Sequence, residues 1–326
     1  MKYILLTGHR KSGTTLLHKL FDSHPQLNVY PVDICLLYAF YPCQVKVEED
    51  YEKRKERFSL VVRKSTRSMQ GKMVSSNLKQ FDVDNFLNLF WEKNVPEELE
   101  RPSAIIEAMA ECYCEYAELD TSLPFLFKET SQTVNFQNMI DEGLDVHLVQ
   151  IIRDPRDNYA AIKEGVDHHY SKMGENEIES LASVLNRAKL DLELAWQEKL
   201  IGNKRFYSLR FEDLILDPEK EMRGVLNHLN LDWDLSVVEP TVLGEAFTGN
   251  NHEGKKFSGI SAENLGRWRE RISDFDAAVI EAWMKDVMTS WGYDLKYSNA
   301  YQKQVLSKFY AWYNCRYFYK DSFANF

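Results

Sequence analysis

The stretch Met1-Lys-Tyr-Ile-Leu-Leu-Thr-Gly-His-Arg-Lys-Ser-Gly-Thr-Thr15 decides the fold. Its apolar run, Tyr3 to Leu6, reads as a buried strand, and Leu16 to Phe21 reads as an apolar-periodic helix. A compact loop between them ends at Gly13. Strand, tight loop and helix aim backbone N–H groups and a helix N-terminus at one point, which suits a phosphate. The common nucleoside-triphosphate loop, G-x-x-x-x-G-K-[ST], sets its lysine directly after the second glycine. Here that position is Thr14, and the lysine, Lys11, lies upstream. The displaced cation points away from ATP and GTP.

Working outward, Asp22-Ser-His-Pro25 stops the first helix and Leu27 to Tyr30 reads as a second strand running into Pro31-Val-Asp33. Pro124 to Glu129, Val146 to Ile152 and Arg205 to Arg210 read as further strands. Helical patterns cover about 45–67, where the charged run Val47 to Arg57 reads as a solvated face. They also cover Phe86 to Trp91, Ala104 to Tyr116, Asn135 to Glu142, Asn158 to Glu164, one long helix from Glu179 to Lys199, and Glu219 to Leu229. Strands alternating with helices imply an α/β fold. The expected architecture is three-layered and P-loop-like, a mainly parallel central sheet with helices on both faces. One domain is expected over 1–296, with a helical insertion at about 34–120. An aromatic, basic extension follows at 297–326, suited to packing back on its own domain, to a homodimer interface or to a membrane surface.

The formal charge of −10 over 326 residues argues against nucleic acid as a partner. Cations are concentrated at Arg10/Lys11 and Arg153/Arg156, as a pocket for a small anion requires. Five cysteines include no metal-ligand spacing, and Cys112 and Cys114 read as packing residues. An odd count suggests reduced thiols and a cytoplasmic location. Met1 leads straight into the first strand, leaving no room for a signal peptide, and no stretch has the length of a membrane span.

Several segments in order carry a family resemblance. Arg10-Lys-Ser-Gly-Thr-Thr15 resembles the 5′-phosphosulfate loop of sulfotransferases that use 3′-phosphoadenosine 5′-phosphosulfate (PAPS). Ile152-Arg-Asp-Pro-Arg-Asp157 is similar to their 3′-phosphate element. Leu209-Arg-Phe-Glu-Asp-Leu214 with Asp217-Pro218 looks like their R-Y-E-D-L…D-P strand and turn. Gly266-Arg-Trp-Arg269 resembles their later G-R-W-R element, and His24-Pro25 also fits. Together they span residues 1 to about 293. The resemblance implies transfer of a sulfuryl group from PAPS, leaving 3′,5′-adenosine bisphosphate (PAP), to a small-molecule, glycan or lipid acceptor, with no metal.

Sulfuryl transfer, like phosphoryl transfer, gathers negative charge on its oxygens and its leaving phosphate. It needs cations and N–H donors there, and a base on the acceptor. Lys11 is suited to the bridging oxygen; Arg10, Ser12, Gly13, Thr14 and Thr15 are suited to the 5′-phosphosulfate. Arg153, at a strand's carboxyl end where ligands of parallel sheets bind, has a fork that fits a 3′-phosphate. The resemblance adds Lys255, Lys256 or Arg267 as a second cation for that phosphate. Arg156 and Asp157 read as a structural ion pair capping the next helix, and Trp268 as packing. Two positions depart from the family: Ala161 stands where a phosphate-binding serine is usual, and Phe211 where a tyrosine lies near adenine. Three candidates remain open for the base, Asp33, Glu129 and His9. Glu129 could instead pair with Lys128, Asp33 cap a helix, and His9 donate to phosphate. A P-loop kinase is a rival that lacks the G-K-[ST] lysine. A non-catalytic nucleotide-binding module is a second rival, favoured by Ala161 and Phe211.

Overall fold

The computed structural model describes residues 1–34, 50–72, 75–168, 177–249 and 259–318, with backbone alone at 72, 167–168, 177–179 and 312–318. The chain divides into two compact units, one of Met1–Ile152 with Glu198–Ala262 and one of Arg153–Gln197 with Glu263–Phe326.

The first unit is built on five parallel strands: β1 (Tyr3–Thr7), β2 (Asn28–Asp33), β3 (Phe125–Lys128), β4 (Val146–Ile152) and β5 (Phe206–Arg210), in the order β2-β3-β1-β4-β5. All five sequence-predicted strands form, within a residue or two except that β2 runs on through Asp33. They were legible because strands buried on both faces are continuous apolar runs; every residue of β1 is buried. Leu5 is the register partner of both Phe127 and Leu148, which puts β1 at the centre. Helix α1 (Thr14–Phe21) leaves β1 toward β2, whereas β4 continues to β5 on the opposite side. The carboxyl ends of β1 and β4 therefore flank the point where the winding reverses, the usual ligand crevice of such sheets.

Pairing of β2 with β3 is irregular. Asn28 and Val29 face Phe125 and Leu126, but the next pair is Asp33 with Lys128. Pro31 lies in the bulged stretch and brings no N–H to the ladder. The bulge sets Asp33 beside Lys128.

Between β2 and β3 lie α2 (Tyr51–Lys72), α3 (Ser76–Gln80), α4 (Val83–Lys93) and α5 (Pro102–Tyr116). The charged run of α2 is amphipathic: Arg54, Phe58, Val62 and Thr66, four residues apart, are buried. Its solvated face carries Lys53 and Arg67. Phe81, Phe86 and Tyr113 pack around Tyr30 of β2 with ring centroids 5.1–6.5 Å away. Cys112 and Cys114 are buried free thiols on α5, and burial pushes the Cys114 thiol up to about 11. Beyond β3 comes α6 (Phe136–Asp141).

After β5 the chain turns directly into α10 (Phe211–Leu216) and then α11 (Pro218–Leu229), so Phe211 begins a helix where a strand and turn were expected. The Asp217-Pro218 pair has a local explanation. Asp217 caps α11, its Oδ1 accepting from Lys220 N at 3.2 Å, and Pro218 takes the first helical position, where its missing N–H costs nothing.

The second unit is helical. It holds α7 (Pro155–His168), α8 (Glu177–Ser183), the start of α9 (Lys189–Ile201), α12 (Trp268–Arg271), α13 (Asp274–Trp283), α14 (Lys285–Ser290) and α15 (Asn299–Phe318). The expected single helix over Glu179 to Lys199 is interrupted by a π-helical turn at Val184–Ala188. The apolar period alone does not reveal that extra residue per turn. On α15, Gln302, Val305 and Phe309 are buried. Phe309 meets Trp283 of α13 edge-on at 5.9 Å, so the described start of the aromatic extension packs within its own unit. Among the described residues no helix is long and apolar enough to cross a membrane.

Asp217→Ala is expected to lower unfolding free energy by about 1 kcal/mol, the usual cost of a lost N-cap. Urea unfolding measures this, and an unchanged midpoint would remove the capping role.

Candidate functional site

The loop after β1 is shaped by three residues with positive φ. Gly8 has φ 150°, Lys11 φ 65° and Gly13 φ 102°. Two of these positions also have no room for a side chain. A Cβ on Gly8 would lie 2.3 Å from the Ile151 carbonyl oxygen of β4, and one on Gly13 would lie 2.4 Å from Cδ2 of Phe211. The loop thus rests directly on β4 and on the Phe211 ring. Ser12 N donates to His9 O at 3.0 Å, closing the turn.

Gly13 is the N-cap of α1 and supplies no side-chain cap, and no acidic residue occupies the first turn. The first N–H groups of α1 therefore remain available to an anion, with the positive end of the helix dipole behind them. Ser12 is buried, and its Oγ has no hydrogen-bond partner among the described residues. A buried hydroxyl without a partner carries a free-energy cost that an oxyanion in the loop would remove. The residues present fit a phosphate or sulfate group. Thr14 and His9 are buried, whereas Arg10, Lys11 and Thr15 are half-buried.

The segment after β3 is tied to the same strand end. Glu129 N donates to Leu6 O, Ser131 N to Gly8 O and Gln132 N to Thr7 Oγ1, at 2.8–3.0 Å. Lys128, buried at the end of β3, donates to both Asp33 oxygens at 2.6 and 2.7 Å and to Thr15 Oγ1 at 3.4 Å. Asp33 and the loop helix are thus joined through one ammonium. The partner of Lys128 is Asp33, so a Lys128–Glu129 pair is not what forms; neighbours on a strand point to opposite faces. Of the three base candidates, Asp33 is half-buried. Glu129 and His9 are buried.

Behind this pair, Lys19 of α1 is wholly buried and donates to Pro31 O at 2.8 Å, and burial lowers its ammonium to about 8. His18, equally buried, donates to Tyr30 O at 2.8 Å and is held well below its ordinary value, mainly by burial. His24 clamps the turn after α1, with Nε2 on Asp232 O at 3.0 Å and Nδ1 accepting from Gln26 N.

In the second unit, Arg153 is the first residue after β4. It is buried, and its Nη2 donates to Asn264 O at 2.9 Å. Arg267 Nη1 donates to Asn264 Oδ1 at 2.9 Å, so two guanidinium groups converge on one asparagine. Asn264 was not picked out from the sequence; its one signal is its place two residues before Gly266-Arg-Trp-Arg269. Asp157 accepts from Gly266 N at 2.7 Å and Trp268 N at 2.8 Å, and burial raises its carboxyl above the usual range. Arg156 does not pair with Asp157. Its guanidinium binds Asp154 at 2.6 Å and Glu281 at 2.5 Å and stacks 4.4 Å from the Trp268 ring centre. That leaves Asp157 to hold the backbone. Trp268 is core, packed with Ala160 and Ala277. Ala161 lies half-buried on α7. Lys255 and Lys256 lie outside the described residues.

Comparison with known proteins bears on this arrangement. The model of the sulfotransferase family matches residues 4–235. No curated protein matches the chain by sequence. Among solved structures, the chain is similar to the sulfotransferase domain from the Synechococcus PCC 7002 olefin synthase. The identity is 19% and the TM-score 0.58, covering 90% of this chain and 95% of that one. It is also similar to the sulfotransferase domain from the curacin biosynthetic pathway, at 15% identity and TM-score 0.56, covering 90% and 99%. Both likenesses are of fold.

Gly13→Ala combines a disfavoured φ with a clash against Phe211, so loss of anion binding by the loop is expected together with a lower melting temperature. Pyrophosphate titration by calorimetry checks it, and binding as strong as wild type would remove the close-approach argument. Lys19 gives a pH signature. Its folded value near 8 lies below the ordinary 10.5, so the unfolded chain binds more protons between them and stability rises with pH across that window. The stability of wild type relative to Lys19→Met should grow between about pH 8 and 10.5 in urea unfolding. A difference independent of pH would show that Lys19 is not held in a low-dielectric site.

Proposed function

The chain belongs to the sulfotransferase family, and we propose that it transfers the sulfuryl group of PAPS to a hydroxyl or amine of a small-molecule, glycan or lipid acceptor. The observation that carries this reading is the buried Ser12 hydroxyl, without a partner among the described residues, at the start of α1, which has no side-chain cap. Support for the 3′-phosphate half comes from Arg153 and Arg267, both hydrogen-bonded to Asn264. Two guanidinium groups suit a phosphate dianion, which ATP lacks at that position.

The donor supplies a sulfuryl group on a phosphate leaving group. In this reading the acceptor oxygen or nitrogen forms a bond to sulfur as the bond from sulfur to the bridging oxygen breaks, and that electron pair stays on the 5′-phosphate. Lys11 neutralises the charge on the bridging oxygen, helped by the N–H groups of Ser12 to Thr15. Arg10 and the hydroxyls of Ser12, Thr14 and Thr15 hold the remaining oxygens. Asp33 takes the acceptor proton. Its exposure separates it from Glu129 and His9, because a base must reach its substrate within hydrogen-bond distance. Lys128 holds the Asp33 carboxylate toward Thr15. Phe211 sets the height of Gly13.

Lys11→Ala should abolish transfer from labelled PAPS over a panel of acceptors while leaving the melting temperature unchanged. Asp33→Asn should lower turnover by about 10² or more, and Glu129→Gln by much less. Near wild-type turnover by Lys11→Ala would sink the mechanism, and a reversed order of the two carboxylates would reassign the base. A melting-temperature rise with PAP and none with ATP–magnesium is expected, since a bound ligand raises apparent stability.

A further inference from the structure

Glu281 lies on α13 and is wholly buried. Its partners come from two directions. Oε1 accepts from Arg156 Nη1 at 2.5 Å and from Lys296 N at 2.9 Å. Oε2 accepts from Lys296 N at 3.1 Å, Tyr297 N at 3.0 Å and Gln302 Nε2 at 3.4 Å. A carboxylate this deep is stable only where cations and donors surround it, and here one guanidinium and the entry to α15 do so.

Arg156 is as fully engaged. Besides Glu281 it gives Nε and Nη2 to Asp154, at 2.6–3.2 Å, and Asp154 also accepts from Arg156 N at 2.9 Å. Trp268 carries Arg156 on its ring, with Lys296 Nζ 5.6 Å from the ring centre. Through Asp157 the same five-residue segment fixes the backbone of Gly266 and Trp268, which flank Arg267. A continuous set of charge-assisted hydrogen bonds thus runs from residues 296–302 through Glu281 and Arg156 to the segment that begins with Arg153. Such bonds are short and directional, so they fix position as well as supply energy.

We propose that Glu281 is a positioning residue for the Arg153–Arg267 pair, and that through it the segment at 296–302 sets how tightly a 3′-phosphate is held. The proposal rests on the sulfotransferase reading of that pair. Glu281 touches no reacting atom. It holds Arg156, Arg156 holds Asp154, and the turn that presents Arg153 keeps its shape. Binding and positioning are then reciprocal: a 3′-phosphate on the arginines tightens the bonds at Lys296 and Tyr297.

The test compares the affinities of PAP and AMP, which differ by the 3′-phosphate, in the full-length chain. Wild type is expected to prefer PAP. Glu281→Gln, which turns one acceptor oxygen into a donor, should lose about tenfold or more of that preference while AMP affinity is unchanged. Val279→Ala, a buried apolar change on the same helix, lowers stability without a polar group and should keep the preference. In wild type, PAP should slow hydrogen exchange at the Lys296 and Tyr297 amides more than AMP does, a readout that does not depend on any variant folding. If Glu281→Gln keeps the wild-type preference, or if both nucleotides affect those amides equally, the proposal is overturned. If wild type itself shows no preference for PAP, the function proposed above fails and this inference falls with it.

Discussion

The loop between β1 and α1 lies closer to its neighbours than any side chain permits. Gly8 sits under the Ile151 carbonyl and Gly13 under the Phe211 ring. That contact determines where the N-terminus of α1 points, and hence where an anion meets backbone N–H groups. It also ties the loop to the middle of the sheet, because Ile151 belongs to the strand paired with β1. The parallel register of β1 and β4 is therefore as much a part of the proposed anion site as Lys11. Loosening either contact would leave the residues in place and the geometry lost.

Charge is used in two ways in this acidic chain. Arg156 and Lys128 are cations whose charges face carboxylates at 2.5–2.7 Å, and their role is to hold backbone or carboxylate in position. Arg153 and Arg267 both donate to Asn264, at its carbonyl and its side-chain oxygen, and Arg153 also acts electrostatically on the Asp157 carboxyl. The segment Arg153 to Asp157 thus carries one arginine that meets Asn264 and one held between two carboxylates.

The five strands and the loop were legible because their signals are local: apolar runs, glycines at tight turns, and residue types matched to an anion. What could not be read was which charge meets which. Lys128 stands beside Glu129 in sequence, yet its partner is 95 positions away. Arg156 stands beside Asp157, yet its second partner is 125 positions away. A strand alternates its faces, so adjacency in sequence argues against contact as often as for it. The π-helical turn at Val184–Ala188 escaped for another reason, since one additional residue per turn barely disturbs an apolar stripe. Asn264 was missed because an asparagine in a turn is ordinary until two arginines converge on it.

The bulge around Pro31 has a bearing on how the edge of the sheet can pair. Among the described residues β2 lies at the sheet edge, and a regular edge with a full row of N–H and C=O groups is a template for pairing with another chain. A proline and a break in register spoil that template. The same irregularity brings Asp33 opposite Lys128. The break in the edge ladder and the placement of a carboxylate beside the loop after β1 therefore come from one backbone feature. Regularising the strand would change both together.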